Sequence, residues 1–157
     1  MERSISALQS AFLTPQQVEA SRMIMGIDRQ LIADRTYFVI LDGERIVGSG
    51  GWSARATLYG GDHTPGRDPA PLDPAKDSAR IRAMYTDPDY ARRGIGRLIL
   101  SLCEGAASAA RFKAVEMAAT RAGEALYTAC GYEVLDRFED ARGGTPVPLA
   151  RMIKRLG

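Results

Sequence analysis

The stretch Arg92-Arg93-Gly94-Ile95-Gly96-Arg97 stands directly before an apolar pattern of helical period, formed by Ile95, Leu98, Ile99, Leu102 and Ala106. A helix begins with backbone N–H groups that lack partners and carry the positive end of the dipole, so its first turn attracts phosphate. Gly94 and Gly96 remove two side chains where an anion would meet the backbone, and Arg92, Arg93 and Arg97 add charge around it. The competing reading is a tight turn with solvated arginines, because a short glycine motif is weak evidence alone. Two common phosphate motifs are excluded. No third glycine completes a dinucleotide fingerprint, and no Gly-Lys-Ser/Thr ends a P-loop.

Other residues able to do chemistry are scattered. His63, Asp62, Asp77 and Glu116 are candidate bases, and each also reads as part of a solvated loop or strand face. Arg80 and Arg82 are two apart on one β-rich run, so both face one side of a sheet, either toward an acidic ligand or in ion pairs. Cys103 and Cys130 are the only thiols, and with the single histidine they cannot make a structural zinc site, so no metal is expected.

The elements that must position these residues follow from local patterns. Ile5, Leu8 and Phe12 have helical spacing. Thr14-Pro15-Gln16-Gln17 is a helix start, with Thr14 as N-cap, Pro15 as first residue and Gln17 closing a capping box, and the helix is expected to run to about Ala33. Thr36–Leu41 and Arg45–Ser53 are β-rich and joined at Asp42-Gly43, which predicts a hairpin. Residues 54–78, rich in glycine and proline, predict a long loop that is either a functional lid or simply mobile.

A strand over Arg80–Thr86 then ends at Asp87-Pro88, and Tyr90 closes the turn before the glycines. Strand, helix and the buried strand Ala114–Thr120 make the crossover unit that sets two strands parallel. A short helix with Leu126, Tyr127 and Cys130 stops at Gly131, and Tyr132–Phe138 and Pro146–Ile153 add two strands. The expected fold class is therefore α/β of the α+β type, with a mixed sheet.

The 157 residues are 45% apolar, enough for one domain spanning 1–157. With 21 basic and 19 acidic residues, the charge of +2 gives no reason to expect nucleic acid or membrane as a general partner. Apolar runs fall short of the ~18 residues of a membrane span, and MERSISALQSAF lacks a signal-peptide core, which predicts a soluble cytoplasmic protein.

Met84-Tyr85-Thr86, Asp87-Pro88-Asp89-Tyr90, the Arg-Arg-Gly-Ile-Gly turn and the amphipathic helix together resemble the acetyl-coenzyme A motif of the GCN5-related N-acetyltransferases (GNAT). About 30 residues on, Leu126-Tyr127 followed by Gly131-Tyr132 resembles a second motif of that family, and the element order matches over nearly the whole chain. The resemblance implies a mostly antiparallel sheet, flanked by helices, with a central parallel pair splayed at the coenzyme site. It also implies acetyl-CoA as cosubstrate. Arg92, Arg93, Gly94, Ile95, Gly96 and Arg97 would hold its pyrophosphate, and the backbone of Met84 and Thr86 would pair with its pantetheine arm. The family usually has Gln or Arg three residues before the first glycine, and this chain has Ala91.

By the same resemblance Tyr127 is the general acid of an acyltransferase that moves an acetyl group to an amine by direct attack in a ternary complex. A phenol with a pKa near about 10 suits a departing thiolate of similar basicity. A backbone N–H between Met84 and Thr86 would steady the oxyanion. Trp52 and Tyr85 are candidates to line the acceptor pocket, or else core aromatics. The acceptor would be a small-molecule or protein amine, and a noncatalytic acyl-CoA-binding regulatory module is the alternative.

Only Met1–Ser4 precede the first helical pattern, so the family's first strand is expected to be short or missing. The hairpin would then end in an unpaired edge, which invites a homodimer unless the 54–78 loop covers it.

Overall fold

The computed structural model describes residues 1–157. Two short helices, α1 (Glu2–Gln9) and α2 (Pro15–Ser21), open the chain. Thr14 caps α2 as its sequence demands: Thr14 Oγ1 accepts from the Gln17 N–H at 3.2 Å, and Gln17 Oε1 accepts from the Thr14 N–H at 3.0 Å. The expected continuation to Ala33 does not form. α2 stops at Ser21, and a separate helix α3 spans Arg29–Ala33. The reason lies in the long loop, which takes the carbonyls that a continuous helix would use. Thr64 Oγ1 donates to Met23 O at 2.7 Å, the Asp62 N–H donates to Ile27 O at 2.8 Å, and His63 Nε2 lies 2.7 Å from Arg22 O.

The hairpin consists of β1 (Tyr37–Asp42) and β2 (Arg45–Ser53), with Gly43 at φ 60° in the turn. Then follow β3 (Ala79–Thr86), α4 (Ile95–Ala109), β4 (Ala114–Thr120), α5 (Arg121–Ala129), β5 (Glu133–Asp140) and β6 (Val147–Arg155). One six-stranded sheet runs β1-β2-β3-β4-β6-β5 and is antiparallel except for the β3–β4 pair. α1 begins at Glu2, and β1 has β2 as its single neighbour in the sheet.

α4 lies on β2 and β3 with Ile99, Leu100, Cys103 and Ala107 fully buried. Leu98 and Leu102, expected on that face, are instead 48% and 38% exposed. Gly48 and Gly50 explain the roll of the helix: a Cβ at either position would run into Ile95 or Ile99, so α4 rests through that stripe and turns Leu98 outward. Each buried aliphatic side chain contributes about 1.5–3 kcal/mol. A second cluster, Leu13, Ala20, Ile24, Val147 and Leu149, joins α2 to β6. No helix is long and apolar enough to cross a membrane.

The 54–78 segment is tied down along its length. Ala56 and Thr57 donate backbone hydrogen bonds to Ala70 and Asp68, Leu72 donates to Ala54, and Arg55 pairs with Asp34 at 2.7 Å. Together with the bonds from residues 62–64 to the Arg22, Met23 and Ile27 carbonyls, the Arg55–Asp34 pair holds it against residues 22–34.

Candidate active site

β3 and β4 pair through only two positions, Ala79 with Val115 and Arg80 with Glu116. Beyond them the strands part. Ala83 sits at φ 55°, and the register against β2 shifts between Ser49/Tyr85 and Gly51/Arg82, so a bulge bends β3 away where the separation starts. The backbone from Ile81 to Thr86 therefore has β2 on one side and no strand on the other. A cleft of about 820 Å³ fills the gap, with Met84 and Thr86 on one wall and Met117, Ala118 and Thr120 on the other.

The glycine turn closes one end of this cleft. The Asp87 side chain accepts from the Asp89 N–H at 3.0 Å and starts a 3-10 turn over Pro88–Tyr90. Asp87 also pairs with Arg45 at 2.7 Å, and the Tyr90 hydroxyl donates to Asp42 at 2.6 Å, which fixes the turn to the β1–β2 hairpin. Arg92 and Gly94 both have left-handed backbone, φ 62° and 82°, and Gly94 is the N-cap of α4. Gly94 has open space where a Cβ would stand, whereas a Cβ on Gly96 would lie 2.6 Å from Leu126. Gly96 thus also lets α5 approach α4.

Of the residues assigned to the pyrophosphate, Arg92, Gly94, Ile95, Gly96 and Arg97 line the cleft, and Arg93 does not. Its guanidinium lies 4.9 Å from the centre of the Tyr90 ring, where cation–π attraction draws it off the cleft wall. The first turn of α4 and the cleft together fit a phosphorylated extended ligand: free helix N–H groups, two arginines, and an unpaired strand edge leading inward.

Tyr127 lies in the cleft wall on α5, its ring edge-on to Tyr132 with centroids 6.0 Å apart. It is 8% exposed, and its hydroxyl has no partner in the protein. Burial pushes the phenol up to about 12, so it is a protonated donor at neutral pH. Across the cleft the Tyr85 hydroxyl accepts from the Gly26 N–H at 3.0 Å, and burial raises its pKa too. Tyr85 lines the cleft, but Trp52 does not. Trp52 packs edge-on against Phe112, centroids 6.2 Å apart, beside the main core.

None of the four candidate bases reaches the cleft wall. Glu116 accepts from Arg80 at 3.0 Å and from Arg151 at 2.7 Å. Asp62 pairs with Arg29, Asp77 accepts from the Asp73 N–H, and His63 meets Arg22 O. Arg82 lines the cleft but is held by buried Asp28, which also pairs with Arg67 at 2.9 Å.

Two walls escaped the sequence reading. α1 contributes Ser4, Leu8 and Gln9, and the long loop contributes Leu58 and Tyr59. A signal for the first existed: Ser4 and Gln9 fall on the same helical arc as Ile5 and Leu8, and a polar residue on an apolar face needs a reason.

With this geometry in place, the relatives can be compared. Residues 33–134 match the acetyltransferase (GNAT) domain, and the chain belongs to that family. A GCN5-related N-acetyltransferase from Rhodopseudomonas palustris shares the fold at a TM-score of 0.70 and 19% identity, covering 99% of this chain and 84% of that one. PaiA N-acetyltransferase from Thermoplasma acidophilum, solved with coenzyme A, gives 0.63 at 12% identity and covers 98% and 87%. YncA from Salmonella typhimurium, solved with its cofactor acetyl-CoA, gives 0.58 at 15% and covers 77% and 64%. No curated protein matches the sequence.

Proposed function

We propose that the whole chain acts as one acetyl-CoA-dependent N-acetyltransferase domain that moves the acetyl group to an amine by direct attack in a ternary complex. One observation carries the reading: a single cleft runs from the glycine turn, along the unpaired edge of β3, to a tyrosine hydroxyl with no partner in the protein. Coenzyme-bound relatives of the same fold support the choice of cosubstrate. Bound there, acetyl-CoA supplies the acetyl thioester.

Each protein group then has a task that its position allows. Arg92, Arg97 and the N–H groups of Gly94, Ile95 and Gly96 neutralise the pyrophosphate. The free backbone of Met84 and Thr86 aligns the pantetheine arm as an added strand, and an N–H of the same segment steadies the oxyanion. Tyr127, whose hydroxyl has no partner in the protein, protonates the departing sulfur. Tyr85 shapes the acceptor side. The two free thiols fit a reducing, cytoplasmic setting, and the free edge of β1 fits a homodimer.

Thiol release from acetyl-CoA in the presence of an amine panel, with product mass, tests the reading. Acetylated product supports it. Tight acetyl-CoA binding without release in any mixture would instead define a noncatalytic acyl-CoA-binding module.

A further inference from the structure

Resting on the acetyl-transfer reading, we infer that Tyr59 is a wall of the acceptor site and that Asp140 and Arg142, which stand outside the cleft, are positioning residues that act through it. The side chains of β6 alternate between two clusters. Val147 and Leu149 join Leu13, Ala20 and Ile24, whereas Ala150 and Met152 join the main core with Ile99, Cys103 and Tyr127. The clusters therefore lie on opposite faces of the sheet, and the cleft between β3 and β4 opens onto both. Ile95, Leu126 and Tyr127 line it from the main-core face, and Ile24, Tyr59 and Leu149 line it from the other. The glycine turn and the first turn of α4 claim the main-core face for the coenzyme phosphates, which leaves the second face to the acceptor.

On that second face the loop supplies Leu58, Tyr59 and Gly60, and none of the three makes a backbone hydrogen bond. Thr57 on one side and Gly61 on the other are bonded. The Tyr59 side chain therefore tethers this length of wall. Its hydroxyl donates to Asp140 at 2.6 Å, the Arg142 guanidinium lies 5.2 Å from its ring centre, and Phe138 packs against it with centroids 5.8 Å apart. Arg142 closes the latch, donating to Asp140 from Nε at 2.8 Å and from its backbone N–H at 2.9 Å, and also to Pro65 O.

Burial alone would push the Asp140 carboxyl up, but the bonds from Arg142 and Tyr59 outweigh it and hold the carboxyl below its usual range. The tyrosine hydroxyl thus bonds to a carboxylate, a strong and directional contact. A buried ion pair adds little net stability over an apolar one, so what this one supplies is the fixed direction of the ring. The turn that carries it is anchored in its turn. A Cβ on Gly143 would run into the backbone of Ala20, and Gln17 Nε2 donates to Pro146 O at 3.2 Å.

The test uses full-length protein and calorimetry with two ligands: coenzyme A, and a conjugate in which its sulfur is joined through an acetyl linker to the nitrogen of n-hexylamine. The alkyl arm suits Ile24, Leu58 and Leu149, and neither ligand turns over. The wild type should bind the conjugate about tenfold more tightly than coenzyme A. Tyr59→Phe, which drops one oxygen and keeps the ring on Phe138, should cut that advantage about fivefold and leave coenzyme A affinity unchanged. Asp140→Ala should do the same, and the double variant should lose no more than Asp140→Ala alone, because both changes remove one contact. Should Asp140→Ala fail to fold, Tyr59→Phe decides by itself. An unchanged advantage in Tyr59→Phe, additive losses, or equal losses for both ligands overturns the inference. If the wild type binds conjugate and coenzyme A equally, the inference fails and the transferase reading stands. If coenzyme A itself does not bind, the transferase reading fails first and takes this one with it.

Discussion

The Tyr127 ring folds back over Gly123, one helical turn earlier: a Cβ on Gly123 would stand 2.6 Å from the ring and 3.1 Å from the hydroxyl oxygen. The glycine therefore sets where the phenol can point. Gly123→Ala should displace Tyr127 and lower turnover, although it adds one methyl group and favours the helix by about 1 kcal/mol. An enzyme more stable to urea but slower in turnover would separate the two effects.

Removing the proton itself is the sharper test. Tyr127→Phe keeps the ring that packs on Tyr132, so turnover should fall about 10²- to 10⁴-fold while acetyl-CoA affinity changes little by calorimetry. Equal loss of affinity would make Tyr127 a packing residue.

At the other end of the cleft, Arg97 is exposed and lines the wall, so its replacement should leave the fold intact. Arg97→Glu should weaken acetyl-CoA binding about tenfold or more through loss of a charge-assisted contact. Arg93→Glu, where the side chain stacks on Tyr90, should weaken it far less. Calorimetry on the two variants reads the contrast directly.

Asp28 holds Arg82 and Arg67 and is 4% exposed. Asp28→Ala leaves the fully buried Arg82 charge unpaired, so unfolding in urea should show a loss of about 3–5 kcal/mol. A loss near zero would mean that Arg82 finds water or another partner.

Burial raises the pKa of Tyr127 to about 12, against about 10 in an unfolded chain. Between these values the folded state binds the extra proton, so this group's contribution makes stability fall as pH rises from about 10 to about 12 and leaves it level below 10. Comparing alkaline melting curves of the wild type and Tyr127→Phe checks the sign, since the variant should lose less.

β1 presents Val39, 48% exposed, at a strand edge with a single neighbour. Light scattering should give about twice the 17.0 kDa chain mass at micromolar concentration. Val39→Pro should return it to monomer, because proline removes an edge donor.

What local rules control was legible in the sequence. The Thr14–Gln17 capping box, the hairpin turn at Gly43, the bounds of β4 at Ala114 and Thr120, and the start of α4 at Ile95 all follow from contacts within a few residues. What long-range contacts decide was not. The break after Ser21 depends on hydrogen bonds from a loop some 40 residues away, and the outward turn of Leu98 depends on two glycines in β2. Half of the candidate site shows the same division. The turn at Gly94 could be read from its spacing, whereas the α1 wall with Gln9 arises only when the chain closes on itself.

Because β3 leaves its pairing with β4 after two residues, a ribbon of main chain from Ile81 to Thr86 is half dressed. Amides on its open side have no strand to shelter them from isotope exchange, while those turned toward β2 do. Deuterium labelling followed residue by residue should therefore trace a comb along this strand, slow and fast teeth alternating on either side of the bulge at Ala83, where the alternation slips. Filling the fast teeth on addition of acetyl-CoA would register an extended ligand lying parallel to the strand, read in the time domain.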